Sequence, residues 1–324
     1  MLKLLKKKVY PIGVDLGTGF LRMAQLGFDG EQVYLNAAAC EAKPDSIAPG
    51  GPDWQRWAAQ TIHDLSRRCG FKGKSVVTTM CADSLFIDEI KIPRTNPKKI
   101  AEVAMAKAAR RLPFDPKGAA IKHVVLEAGS GNGEMNLLIM AADRTQVDRH
   151  LAIYETAQLD IHSICVWPQA MVNSYVTFFS RRQHDDELVA LLLDLGSNHT
   201  NVVICKQAAL YFARVIPMGF NQITAGQLGR LIGEIDACCR YFDSVAGGIH
   251  VQRVVFLAPM GIDRDICNKV AELAQRMQVP AQMGDVFSAV PQNTGCDEHV
   301  DRRDNRINWT NAFGLSLAEA IETE

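Results

Sequence analysis

Apolar and polar positions along the chain follow two periods, and together they predict a succession of short strands and helices. The run Ile12-Gly13-Val14-Asp15-Leu16-Gly17-Thr18-Gly19-Phe20-Leu21-Arg22-Met23-Ala24 reads as a strand, a glycine turn and a second strand. Trp54, Trp57, Ala58, Ile62, Leu65 and Cys69 recur at helical spacing, with Asp53 as the expected N-cap and Gly70 as the stop. That stripe predicts core packing rather than an aromatic binding platform. Residues 74–81 predict a buried strand, and 85–92 another that Pro93 ends. Asn96 is expected to cap a helix that starts at Pro97 and stops at Leu112, before Pro113. Strands over 121–127 and 135–142 flank the glycine-rich turn 129–133 and predict a hairpin. Thr145 is the expected cap of the next helix, followed by a strand over 160–166 and a helix over 169–179.

The second half predicts strands over 188–193, 201–205 and 209–216, and then a helix over 224–242. A strand over 253–258, a helix over 263–277 and a closing helix over 308–320 follow. Residues 291–306 are polar, carry Asn293-Thr294-Gly295 and several charges, and predict a solvated loop.

One pattern occurs twice. Leu191-Leu192-Leu193-Asp194-Leu195-Gly196-Ser197-Asn198-His199-Thr200-Asn201-Val202-Val203-Ile204 echoes the opening motif: an apolar strand, Asp-Leu-Gly, a hydroxyl residue, a second strand. Asp15 and Asp194 lie 179 positions apart, more than half the chain, and duplication is the simplest cause. Such a turn has definite chemistry. Glycine permits close backbone approach, the following hydroxyl and N–H groups suit phosphate oxygens, and an adjacent carboxylate can hold hydrated magnesium. A single Asp-Leu-Gly-Thr is an ordinary hairpin turn. A matched pair points to two lobes facing one ligand.

Composition narrows the field further. The 324 residues suggest two domains, and 48% hydrophobic content with 22% charged residues is ordinary for a globular chain. A net charge of −1 leaves no overall positive field for nucleic acid. Nine cysteines include no Cys-x-x-Cys pair, which predicts reduced thiols in a cytosolic protein. No apolar run reaches the length of a membrane span. The lysine-rich start, Met1-Leu2-Lys3-Leu4-Leu5-Lys6-Lys7-Lys8, predicts a tail that is either solvated or in contact with an anionic membrane face or a partner. His199 is expected to face solvent, and neither a Ser-His-Asp order nor His-Glu-x-x-His is present.

The order of these motifs resembles the actin, Hsp70 and sugar-kinase superfamily and, within it, the PilM family of bacterial type IV pilus assembly. Supporting features are the lysine-rich start, Ile92-Pro93, Leu112-Pro113-Phe114, Glu234 with Arg240-Tyr241-Phe242, and Ala312-Phe313-Gly314-Leu315-Ser316-Leu317-Ala318. The resemblance implies an α/β fold of duplicated actin-like (ribonuclease H-like) lobes with an FtsA/PilM-type α+β insert in the first. Residues 1–186 and 308–324 would form the first lobe, with its insert at about 84–159. Residues 187–307 would form a reduced second lobe lacking most of its small subdomain.

The resemblance also implies a site for ATP and magnesium. Asp15 and Asp194 would hold the metal through water, while Gly17, Thr18, Gly19, Gly196, Ser197 and Thr200 would contact phosphates. Glu234 and Gly261 would lie at the nucleoside, and Gln169 would orient a hydrolytic water. Three departures imply a weakened site. Gly19 and the bulky Phe20 follow Thr18 where the family keeps small hydroxyl residues; Phe256-Leu257-Ala258-Pro259-Met260-Gly261 replaces a Ser-Gly-Gly turn; and only a few residues separate Thr224 from Leu228.

The implied function is that of a cytoplasmic scaffold on the inner face of the inner membrane. It would bind the N-terminal cytoplasmic peptide of a PilN-like membrane protein between the first lobe and the insert, and so link that complex to the pilus motor ATPases. The resemblance leaves a homodimer open, implies no nucleic acid, and implies membrane association through partners. Alternative readings are a slow ATPase or sugar kinase, a filament former of the FtsA or MreB type, and a relative of the secretion protein GspL. The acidic end at 318–324 disfavours the membrane helix that FtsA carries.

Overall fold

The computed structural model describes residues 8–126, 133–180, 187–258, 262–299 and 307–318. It opens with β1 (Lys8–Leu16), β2 (Phe20–Phe28) and β3 (Val33–Ala42), then α1 (Pro52–Arg68) and β4 (Ser75–Thr79). A separate run supplies β5 (Phe86–Pro93), α2 (Pro97–Ala108), β6 (Ala119–Leu126), β7 (Glu134–Asp143) and α3 (Arg144–Thr156). After it come β8 (Asp160–Cys165) and α4 (Trp167–Phe179). The second half contains β9 (Val189–Leu195), β10 (Thr200–Lys206), β11 (Ala209–Ile216), α5 (Ala225–Val245), β12 (Arg253–Leu257), α6 (Arg264–Arg276) and β13 (Ala281–Gly284). The described chain ends with α7 (Val286–Ala289), β14 (Gln292–His299) and α8 (Thr310–Ser316).

Two larger sheets share one internal order. The first runs β14-β3-β2-β1-β4-β8 and the second β11-β10-β9-β12-β13. In each, an antiparallel meander of three strands is extended by two parallel strands on the side of its first strand. Central strands buried on both faces need continuous apolar runs, and β9 has one: all seven of its residues are buried. The small sheet β5-β7-β6 is antiparallel. Ile90, Ile92, Leu137 and Ile139 pack under α2, while Leu126, Leu138 and Met140 join the main core on the opposite side. The small sheet therefore lies between α2 and the body of the molecule.

α8 packs against α4 and β1 at backbone contact. A Cβ at Gly314 would lie 1.8 Å from the Ala170 carbonyl oxygen, and one at Gly13 would lie 2.0 Å from that of Ala312. Only glycine fits at either position. Ser316 fixes the register, donating to the Pro11 carbonyl at 2.8 Å and accepting from the Leu26 N–H at 3.0 Å.

Several local expectations change. Asp53 does not cap α1; Gly51 is the N-cap, and Asp53 lies in the first turn, paired with Arg56. Asp143, not Thr145, caps α3, its carboxylate accepting from the Thr145 N–H at 2.7 Å. Asn96 caps α2 as expected, accepting from Lys98 N–H, but the helix ends at Ala108. The expected loop at 291–306 contains β14, which pairs in parallel with β3 with a break in register between Gln292 and Asp297. An open sheet edge binds any backbone of the right reach, so this strand needed no apolar alternation. The chain thus rejoins the first sheet at Gln292. The lysine-rich start (1–7), most of the glycine turn (127–132) and the acidic end (319–324) lie outside the described residues.

Candidate functional site

The two Asp-Leu-Gly turns have the same construction. In the first hairpin Asp15 pairs with Arg22 and Leu16 with Leu21; in the second Asp194 pairs with Asn201 and Leu195 with Thr200. Each turn is closed by a hydrogen bond from its glycine, Gly17 N–H to Phe20 O at 3.0 Å and Gly196 N–H to His199 O at 2.9 Å. Both glycine amides are therefore engaged within their own turns. The turns touch: the Asn198 side-chain amide donates to Thr18 Oγ1 at 3.0 Å, and a Cβ on Gly19 would lie 2.9 Å from Ser197 Oγ.

Behind this contact lies a cavity of about 40 Å3, lined in part by Asp15, Arg22, Asp194, Ser197, His199 and Asn308. An ordered water needs roughly 10–15 Å3 on this scale, so the space holds a few waters and no triphosphate. Arg22 contacts Asp15 at 2.9 Å and donates to the Asn308 carbonyl at 3.1 Å. A fixed guanidinium thus sits where a carboxylate would otherwise face a metal. Apart from that ion pair, Asp15 Oδ2 is buried with no hydrogen-bond partner among the described residues, while Asp194 accepts from Asn308 at 2.6 Å, Asn201 at 3.0 Å and Asn311 at 3.4 Å. Burial pushes the Asp194 carboxyl up, opposed by the Asn201 hydrogen bond and the nearby Arg22 and His199. His199 lines this cavity, contrary to the solvent-facing expectation, and its Nδ1 is buried without a partner among the described residues.

The other sequence-predicted residues lie apart from this contact. The Thr200 hydroxyl is buried and donates to the Met218 carbonyl at 2.8 Å. The Gln169 side chain donates to Asn173, which itself donates to Gly314 O on α8, and Gln169 does not line the cavity. Glu234 lies on α5, near Cys238 and Arg214. Gly261, like Pro259 and Met260, lies outside the described residues. Only a short turn at Phe220–Gln222 stands between β11 and α5. Its backbone packs on the second Asp-Leu-Gly turn, Phe220 N–H donating to Gly196 O and Asn221 N–H to Ser197 O, both at 2.9 Å. Of the set implied by sequence, Asp15, Gly17, Thr18, Gly19, Asp194, Gly196 and Ser197 line one cavity, whereas Thr200, Gln169 and Glu234 do not line it.

Sequence reasoning missed Arg22, Asn198, Asn201 and Asn308. The signal for two of them was present. Arg22 follows Asp15 by seven positions and Asn201 follows Asp194 by seven, the spacing that puts each across its hairpin.

A larger pocket opens beside the first turn. It measures about 350 Å3 and is lined by Leu16, Thr18, Trp54, Met80 and Cys81 from the main body, with Gln146, Arg149 and His150 from α3. The Trp54 indole N–H is a buried donor with no acceptor among the described residues. The wall behind it is rigid. His150 lies 3.1 Å from Thr78 Oγ1, which donates to the Val14 carbonyl and contacts the Tyr154 hydroxyl. Burial lowers the His150 pKa to about 4 and pushes the Cys81 thiol up to about 11, so at neutral pH the imidazole is uncharged and the thiol protonated.

A family model described as type IV pilus assembly protein PilM matches residues 13–231. Among solved structures, a PilM-PilN type IV pilus biogenesis complex superposes with a TM-score of 0.75 at 19% identity, covering 95% of this chain and 98% of that one. The cytoplasmic domain of EpsL, an inner membrane component of the Vibrio cholerae type II secretion system, gives 0.48 at 12% identity, covering 98% and 96%. The ethanolamine utilization protein EutJ from Carboxydothermus hydrogenoformans gives 0.47 at 11% identity, covering 98% and 92%. No curated protein sequence matches the chain. The fold is the actin-like α/β fold.

Proposed function

The chain belongs to the PilM family of type IV pilus assembly proteins, and on that premise we propose that it is a peptide-binding scaffold whose nucleotide site is weakened because its two aspartates are engaged within the protein. The observation that carries this reading is the contrast between the two concavities. The inner cavity that encloses Asp15 and Asp194 is about 40 Å3 and has Arg22 fixed beside Asp15, whereas the pocket between the main body and α3 is about 350 Å3; the space of about 680 Å3 outside the paired turns, lined by Thr18, Gly19, Ser197, Asn198 and Asp263, does not reach the two aspartates. The second value lies in the usual range of ligand sites, roughly 300–1,000 Å3.

The ligand is the N-terminal cytoplasmic peptide of a PilN-like membrane protein, the partner named in the superposed complex. Leu16, Trp54 and Met80 offer apolar contact, the unpartnered Trp54 N–H meets a peptide carbonyl, and Arg149 meets a carboxylate. Held this way, the protein sits at the cytoplasmic face of the inner membrane and presents its remaining surface to the motor ATPases. Each larger sheet is the centre of one lobe, with residues 84–159 inserted in the first and the first lobe regaining the chain at Gln292.

Calorimetric titration with a synthetic copy of that cytoplasmic segment, taken from the neighbouring membrane protein, tests the reading. Saturable binding is expected, weakened at least about tenfold by Trp54→Ala and by Arg149→Glu. Absence of binding, or affinity unchanged in both variants, sinks it.

A further inference from the structure

The chain as a whole carries a net charge of −1, but its basic residues are unevenly placed. Residues 91–122 hold nine lysines and arginines against Glu102 and Asp115, a net of +7, which leaves −8 for the remainder. All nine basic side chains are exposed. Two have work within the fold: the Lys107 ammonium donates to the Lys91 carbonyl, and Arg111 donates to the Glu89 carbonyl at 3.2 Å and pairs with Asp88 at 2.6 Å. These contacts cover carbonyls on the free edge of β5, a usual way to blunt an open edge. Arg94, Lys98, Lys99, Arg110, Lys117 and Lys122 make no ion pair among the described residues.

Their placement is as informative as their number. α2 buries Ile100, Ala104 and Ala108 against the small sheet, and that sheet's other side faces the main core. The helix is therefore the outer layer of the insert, and Pro97, Lys98, Lys99, Ala101, Glu102, Ala106 and Lys107 form its exposed surface, with Arg110 exposed just past its end. None of the unpaired cations lines any cavity described above, as a site for an acidic peptide would require. The one aromatic ring in residues 91–122, Phe114, is half-buried, so the segment offers no open platform on which successive bases could stack. An outward-facing cationic surface without a groove complements a broad anionic plane. The opposite charge of the remaining chain orients the molecule on such a plane.

We propose that the exposed face of α2 with its flanking turns is a docking surface for anionic phospholipid headgroups, binding the bilayer directly and independently of the peptide pocket. The exposed face of α2 carries alanines and no large apolar side chain, so the contact is electrostatic and peripheral, without insertion. Near an anionic leaflet each Lys or Arg raises the partition coefficient roughly fivefold.

Full-length protein is sedimented with phosphatidylcholine vesicles and with vesicles in which roughly a quarter of the lipid is phosphatidylglycerol. Binding is expected to the anionic vesicles alone, with release as salt rises from about 0.05 to about 0.5 M. The triple variant Lys98→Glu, Lys99→Glu, Arg110→Glu lowers the partition coefficient about a hundredfold or more, and the matching triple change to Gln lowers it less. Both variants keep the wild-type circular dichroism spectrum and peptide affinity. Equal binding to neutral vesicles, or no binding to either, overturns the proposal. So does binding that survives the triple reversal, which would assign it to the lysines at 3–8, or tighter capture by polyglutamate or duplex DNA at the same salt.

Discussion

Arg22 holds the only guanidinium lining the cleft between the two turns among the described residues, and its removal tests how that cleft is built. The Arg22 and Asp15 side chains are 14% and 8% exposed and 2.9 Å apart. Arg22→Ala leaves the Asp15 carboxylate buried without its counter-charge and strips the Asn308 carbonyl of a donor. Removing one partner of a buried pair costs about 3–5 kcal/mol, much of it the stranded charge rather than the lost attraction. At about 2 °C per kcal/mol for a chain of this size, the melting temperature falls by about 6–10 °C. Adding Asp15→Asn removes the stranded charge, so the double variant is expected to be more stable than Arg22→Ala alone, with a coupling of at least about 1 kcal/mol. Urea unfolding of wild type, both single variants and the double variant supplies the cycle. A loss below about 0.5 kcal/mol in Arg22→Ala, or an additive cycle, would refute the assignment of Arg22 as the fixed counter-ion of Asp15.

Three further outcomes are expected. Gly314→Ala forces a methyl to within 1.8 Å of the Ala170 carbonyl, so circular dichroism melts should show a loss of about 3 kcal/mol, and a near-neutral result would mean that α8 does not pack on α4 at this distance. His150 is held neutral by burial, with its pKa lowered to about 4. Between pH about 6.5 and about 4 the unfolded chain binds a proton there that the native chain does not, so stability falls as pH drops through that window, at up to about 1.4 kcal/mol per unit, and is unaffected by this group above it; His150→Gln should flatten that part of the profile. Asn198→Ala removes the bond to Thr18 across the cleft; hydrogen exchange at residues 17–20 and 196–199 should then rise about two- to tenfold, and unchanged exchange would show that the bond does not hold the turns together.

The central hairpins were readable because their strands are buried on both faces and must be written as apolar runs, as β9 is from Val189 to Leu195. Asn96 was readable as a cap because its side chain acts on the helix that follows it in sequence. β14 was hidden, since Gln292–His299 is strand through its backbone pairing with a distant edge, and its polar sequence carries no period. Asp53 and Thr145 misled for a common reason: the chain enters each helix earlier than the first apolar position suggests, so the true cap lies two residues before the apparent one. In the cleft, the echoed motif located both aspartates, but sequence did not tell that each carboxylate is already answered. Asp15 is answered by its cross-strand neighbour Arg22, seven positions on, a spacing that becomes a contact only once the hairpin register is known. Asp194 is answered in part by Asn308 and Asn311, 114 and 117 positions away, which no local pattern connects to it. The basic segment at 91–122 was obscured by averaging, because the net charge of the whole chain cancels it.

The scaffold reading turns on whether the pocket beside α3 or the spaces at the paired turns take a ligand, and one thermal-shift comparison decides it. Wild-type protein is melted alone, with the N-terminal cytoplasmic peptide of the neighbouring PilN-like protein, and with magnesium and ATP, each ligand at about a hundredfold excess over micromolar affinity, where a bound ligand adds about 2.7 kcal/mol. A rise of several degrees is expected with the peptide, cut by about half or more in Trp54→Ala, and no rise with magnesium and ATP. A rise with magnesium and ATP and none with the peptide would contradict it.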